Sequence, residues 1–287
     1  MDPKTANDTA RRLVKYYPKD QLSHEVFDLL VAEAMFGWNE VFMSLGSGLR
    51  CLEIGAGTGM LATLASEHVQ SVDAIEPAPR AFSFSEPVLA NVKNSAPENL
   101  HFFRATLEAY TDPVGYDFIW SVNVFEHLED WREGLLKTRS LLRRGGKAVI
   151  LCPNYDIPYE THYGIPMIWS KKMASRLFAQ KISTFDKKHK CAGLWDTINL
   201  ISVSEIKRFA KQESLNIVFD KSITLRMFDR FFEDQHLAHR HGTLRRVITL
   251  IYKLGLHKLW YRLPNRFQPY MALHLYADDR DQENDGV

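Results

Sequence analysis

The sequence is short of several things, and each shortage removes a class of protein. There are three cysteines in 287 residues, Cys51, Cys152 and Cys191, without close paired spacing. They offer no disulfide framework and predict reduced thiols, two of them in apolar runs that read as buried strands. No apolar run is long enough to cross a bilayer. The polar start MDPKTANDTARRL lacks the hydrophobic stretch of a secretory leader, so the expected location is the cytoplasm. Net charge is only +1, which gives no global electrostatic case for nucleic acid. Internal repeats and low-complexity tracts are missing too. What is present is 45% hydrophobic and 25% charged residues, the balance of a globular chain able to bury one substantial core.

Residues 1–47 read as a helical N-terminal cover, with apolar residues at helical spacing in SHEVFDLLVAEAMFGWNEVFMSLG and Ser23 as its cap. From Leu49 strands and helices alternate. LRCLEI, QSVDAIEP, NLHFFRA, YDFIWSVNV and KAVILCPN read as strands. GMLATLASEH, FSEPVLANVKNS and DWREGLLKTRSLL read as helices, the last ending at Arg143-Arg144-Gly145-Gly146 with glycine as its left-handed stop. This order predicts an α/β fold with a parallel sheet covered by helices on both faces. Residues 154–200 read as a loop region, SVSEIKRFAKQES as a capped helix and LNIVFDKSI as a strand. A basic helical insert over 227–266 precedes a last strand in FQPYMALHLYA, and 281–287 reads as a disordered tail.

The stretch CLEIGAGTGMLA carries the strongest local signal. Glycines at a strand-to-helix turn let a ligand approach the backbone, beside the free N–H groups of the helix start. The spacing lacks the extra residue of the dinucleotide fingerprint, and no Lys-Ser or Lys-Thr follows to grip phosphate. Glu53 before the first glycine would sit badly beside a pyrophosphate. Glu76, ending the second strand, is placed to accept both hydroxyls of a ribose. A cofactor with a ribose, a positive group and no phosphate fits, and S-adenosyl-L-methionine is such a cofactor.

LEIGAGTG, then Glu76 in DAIEP, then YDFIWSVNVFEHLEDW, then LLRRGGKAVILCPN resembles, in order, the motif series of the class I S-adenosylmethionine-dependent methyltransferases. The resemblance covers residues 48–155, and residues 203–276 by element order alone. It implies a Rossmann-like methyltransferase domain over 48–280. It also implies that Gly55, Gly57 and Gly59 line the methionine portion, with Glu53, Ala56 and Asn123 at the cofactor, and that Glu76 binds the ribose. Ala105 and Thr106 would flank adenine, where the family often has an Asp that this chain lacks.

Methyl transfer to an alcohol needs an in-line nucleophile that has lost its proton. Candidate bases lie past the fourth and fifth strands, in NVFEHLED and PNYDIPYETHYGIP. Glu126 reads either as a helix-start carboxylate or as direct chemistry, and His127 as a packing residue or a participant. Glu126-His127, then CPNY, then His162 is similar to the metal-dependent 2′-O-methyltransferases of small-RNA 3′ ends and, around the Glu-His pair, to ubiquinone-pathway O-methyltransferases. That resemblance implies a divalent ion held by Glu126, His127 and His162, with Asn123 standing where a first Glu is expected. His162 as a metal-free general base is the competing reading.

The insert interleaves Arg245, Arg246, Lys253, Lys258 and Arg262 with Leu, Ile and Trp260. It reads as a membrane-surface helix, as a packed cap with a solvated charged face, or as an RNA-binding element without a motif. The PNY-type acceptor loop resembles that of stand-alone methyltransferases in surface-polysaccharide pathways, a resemblance that implies O-methylation of a glycan or lipid-linked saccharide. A quinone-pathway enzyme, an RNA 2′-O-methyltransferase and a non-catalytic scaffold of the same fold remain as alternatives.

Overall fold

The run RCLEI forms β1 (Arg50–Ile54), and all but its first residue are buried, as a strand with neighbours on both sides and helices on both faces requires. The computed structural model describes residues 24–77, 86–94, 96–167, 169–189, 191–233 and 242–277. Ser23, residues 1–22 of the N-terminal cover and the tail 281–287 lie outside them. β1 sits third in a seven-stranded sheet with β2 (Ser71–Ile75), β3 (Leu100–Phe103), β4 (Tyr116–Val122), β5 (Leu142–Pro153), β8 (Asn216–Phe219) and β9 (Tyr270–Tyr276). The order is β3-β2-β1-β4-β5-β9-β8. The first five strands are parallel, whereas β9 runs antiparallel to both β5 and β8. The order reverses between β1 and β4, which opens a crevice at the carboxyl ends of the strands.

Successive residues of the central strands serve opposite cores. Phe118 and Trp120 pack with Trp38 and Leu64 beneath α1 (His24–Val41) and α2 (Met60–Ser66). Ile119 packs with Leu52, Leu135, Ile150 and Ile206 beneath α4 (Trp131–Ser140) and α8 (Val203–Gln212); α3 (Glu86–Asn94) connects β2 and β3. α8 is capped as its sequence predicts, Ser202 Oγ accepting from the Glu205 amide at 3.3 Å. All three cysteines are free and buried.

Two expectations need correction. Gly145 and Gly146 do not stop α4, which ends at Ser140. They lie inside β5, where the register jumps from Tyr116 opposite Leu142 to Phe118 opposite Lys147. Gly145 takes φ 73° there, and a Cβ on Gly146 would fall 2.8 Å from the Tyr116 carbonyl; the glycines serve a bulge. Residues 154–200 are not loop but a small lid. A hairpin of β6 (Tyr159–Glu160) and β7 (Ile165–Pro166) precedes α5 (Lys171–Leu177), α6 (Ala179–His189) and α7 (Leu194–Thr197). Tyr163, Ile165, Ile182, Leu194 and Trp195 give the lid its own core. The insert contains α9 (Ile223–Glu233), α10 (Gly242–Lys253) and α11 (His257–Trp260). No helix of the described residues is long and apolar enough to cross a membrane.

Candidate functional site

The turn from β1 into α2 is left-handed at Gly55, Gly57 and Gly59, with φ of 74°, 53° and 77°. A Cβ on Gly55 would lie 2.2 Å from Val124, and one on Gly59 2.7 Å from Phe102. Around Gly57 nothing lies within 4 Å of that position, so the backbone there is open to a ligand. The amides of Gly55 and Ala56 are taken by the Ile75 carbonyl. The Gly57 amide donates to Glu76 Oε2 at 2.7 Å. Burial raises Glu76 to about 7 against that hydrogen bond. Burial also raises Glu53 to about 8, and its Oε2 has no hydrogen-bond partner among the described residues. Thr106 is exposed beyond β3, its hydroxyl accepting from the Ala109 amide at 3.3 Å.

Val124, which fills the space beside Gly55, leads directly into the second cluster. The chain after β4 makes a 3-10 turn, Phe125–His127, with Glu126 fully buried. Neither Glu126 carboxylate oxygen has a hydrogen-bond partner among the described residues. His127 Nε2 lies 3.9 Å and His162 Nε2 4.0 Å from Glu126 Oε1. The far ring nitrogens are engaged: His127 Nδ1 is 2.8 Å from Thr197 Oγ1 of the lid, and His162 Nδ1 is 2.7 Å from Glu160 Oε1. Glu160 in turn accepts from the amides of His162 and Tyr163 and from the Tyr155 hydroxyl.

The electrostatics follow from burial and these pairings. Burial raises Glu126 to about 7, with His162 opposing, and lowers His127 to about 3, which keeps that imidazole neutral. Burial would lower His162 as well, but Glu160 and then Glu126 outweigh it and hold it up at about 9. Glu160, despite burial, is held below the usual carboxylate range by His162. Donor atoms of Glu126, His127 and His162 all lie within 4.8 Å of one another. Such a mixed N/O set, with its outer nitrogens oriented by Thr197 and Glu160, is the kind of arrangement that holds a divalent cation.

Residues 52–148 match the family model described as "Methyltransferase domain". This is an S-adenosylmethionine-dependent class I methyltransferase domain. Two uncharacterized Mycobacterium tuberculosis proteins, from strains CDC 1551 and H37Rv, are each 29% identical over 251 residues, covering 86% of this chain and 86% of their own. An S-adenosylmethionine-dependent methyltransferase structure from Mesorhizobium loti matches with TM-score 0.51 and 14% identity, covering 84% of this chain and 97% of that one; this likeness concerns the fold.

The methyltransferase's donor is S-adenosyl-L-methionine, and the glycine turn suits it: Gly57 presents open backbone and Glu76 a carboxylate at one edge of the same loop. The structure brings Glu126, His127 and His162 together from two elements. Asn123 has its amide engaged by Tyr270 and Glu33. Sequence reasoning missed Glu33 and Thr197. Glu33 left a faint signal, since it is the one charged residue in the run 29–38 of α1. Thr197 left none.

Proposed function

We propose that this methyltransferase acts on a hydroxyl oxygen, that of a glycan or lipid-linked saccharide, and that Glu126, His127 and His162 activate that hydroxyl. The observation carrying the reading is the buried Glu126 carboxylate, which accepts no hydrogen bond among the described residues and faces two imidazole nitrogens beside the glycine turn. A buried carboxylate without hydrogen bonds costs about 1–3 kcal/mol or more. The His162 imidazolium 4.0 Å away offsets that only in part, and a group bound between them would complete the site. A divalent cation held by Glu126 Oε1 and the two Nε2 atoms would acidify a bound hydroxyl. S-adenosylmethionine supplies an electrophilic methyl group on a sulfonium. The chain's part is to hold both reactants in line, exclude water under the lid and keep His127 neutral for ligation. Half-buried Tyr159 and exposed Trp169 offer faces for a sugar ring.

The lipid-linked form of the acceptor has separate support. Between Asp234 and Asp278 the sequence has no acidic residue. Lys253, Lys258, Arg262 and Arg266 are exposed there, together with Leu250, Leu254, Leu259 and Leu263. This surface joins the active edge of the sheet. Tyr270, at the start of β9, pairs with Pro153 at the carboxyl end of β5. The next residue, Asn154, donates to the carbonyls of Asn265, Arg266 and Gln268. An anionic bilayer bound there would present a headgroup on the side of the sheet where the glycine turn and the lid meet.

The test supplies methyl-labelled S-adenosylmethionine and a total glycolipid extract to the purified protein, with and without chelator. Label in a base-stable methyl ether, lost on chelation and restored by divalent metal, is the expected result. Label in a base-labile ester or an amine, or transfer indifferent to chelator, would overturn the reading.

A further inference from the structure

Asn123 lies three residues before Glu126, in left-handed backbone at φ 55°. Its amide is occupied at both ends: Oδ1 accepts from the Tyr270 hydroxyl at 2.6 Å, and Nδ2 donates to Glu33 Oε2 at 3.3 Å. Turning that oxygen toward the histidines would break both contacts. Asn123 is instead a bracket that holds a carboxylate arriving from 90 residues away. α1, which carries Glu33, is firmly seated. A Cβ on Gly37 would fall 2.7 Å from Leu61 and 3.2 Å from Val122, so helix and sheet meet closely. One turn on, Glu40 takes a two-oxygen grip on Arg226 at 2.6 and 2.5 Å, and Arg226 also bonds Asp220.

We propose that Glu33 is the second carboxylate of the acceptor-activating site, supplied by the N-terminal helix and acting on the cation held by Glu126, His127 and His162. The inference rests on the cation reading above. Its physical basis is charge and donor type. Once His162 gives up the proton that Glu160 and Glu126 hold on it, one carboxylate and two imidazoles would leave a divalent ion with net positive charge in a buried place, and a second carboxylate would neutralise it. Hard ions such as Mg²⁺ and Mn²⁺ also favour oxygen donors over a nitrogen-rich set. Glu33 is placed beside the cluster by its hydrogen bond to Asn123, three residues before Glu126 in the chain. It is not among the three residues whose donor atoms converge within 4.8 Å, so it would act from outside that set, on water or an acceptor hydroxyl bound there. The N-terminal helix thereby belongs to the site.

Calorimetric titration of the full chain with Mn²⁺ tests this, with S-adenosylhomocysteine affinity measured in parallel on every variant. Wild type is expected to bind one ion and His162→Ala to lose it. Glu33→Gln should bind it about 10–100-fold more weakly, with unchanged S-adenosylhomocysteine affinity. Glu33→Asp keeps the charge on a shorter arm and should fall between. Wild-type Mn²⁺ affinity in Glu33→Gln, with His162→Ala still defective, would overturn the role of Glu33 alone. No Mn²⁺ binding by wild type would overturn the cation site and this inference together. If Glu33→Gln fails to fold, Glu33→Asp decides, and wild-type affinity there removes the proposal.

Discussion

Glu76 sets how cofactor binding should respond to pH. Burial raises it to about 7, and neighbouring Glu53 to about 8, from the ordinary carboxylate range. Between roughly pH 4.5 and those values the native state holds protons that the unfolded chain has released, so these two groups lower stability as pH rises through that window. Ribose hydroxyls bind an ionised carboxylate more strongly than a protonated one. Affinity for S-adenosylhomocysteine should therefore rise between pH 6 and 8 in wild type and stay flat in Glu76→Gln. Glu76→Ala should cost on the order of 1.5–3 kcal/mol of that affinity. A wild-type profile as flat as the mutant's, from calorimetry at matched ionic strength, would show that Glu76 does not meet the ribose.

Among the elements, the segment from α10 to Phe267 carries the membrane reading. Each Lys or Arg near an anionic bilayer contributes about 1 kcal/mol. Reversing Lys253, Lys258 and Arg262 to Glu should thus abolish flotation with phosphatidylserine vesicles at low salt, leaving S-adenosylhomocysteine binding intact. If wild type does not float under those conditions, the segment is a solvated cap. How far each element was legible follows from its burial. β1, β2 and β4 are largely buried and read as mostly apolar runs despite Glu53, Asp73 and Ser121, as does β5 from Ala148 onward. The lid was illegible because its helices are short and weakly buried: α5 buries only Ala174 and α6 only Ile182. The Arg-Arg-Gly-Gly stretch misled because a left-handed glycine serves a strand bulge as well as a helix stop. In the site, Gly55, Gly57, Gly59, Glu76 and the Glu-His pair were visible as local spacing. Glu33 meets Asn123 and Thr197 meets His127 across 90 and 70 residues, a proximity that only the folded sheet creates.

At the scale of the whole molecule, one edge of the sheet gathers everything the proposed chemistry would use. The glycine turn follows β1, Glu76 follows β2, the Glu126 turn follows β4, and the lid with Glu160 and His162 follows β5. α1 adds Glu33 from one side, and the start of β9 joins the basic, apolar insert from the other. The central claim is that a divalent cation occupies the gap between Glu126, His127 and His162 next to the cofactor. The direct measurement is anomalous scattering from a crystal of the full chain grown with Mn²⁺ and S-adenosylhomocysteine. The account predicts a peak about 2.0–2.3 Å from Glu126 Oε1 and from Nε2 of both histidines, with S-adenosylhomocysteine on the glycine turn. Full cofactor occupancy with no anomalous peak at those three side chains would contradict it.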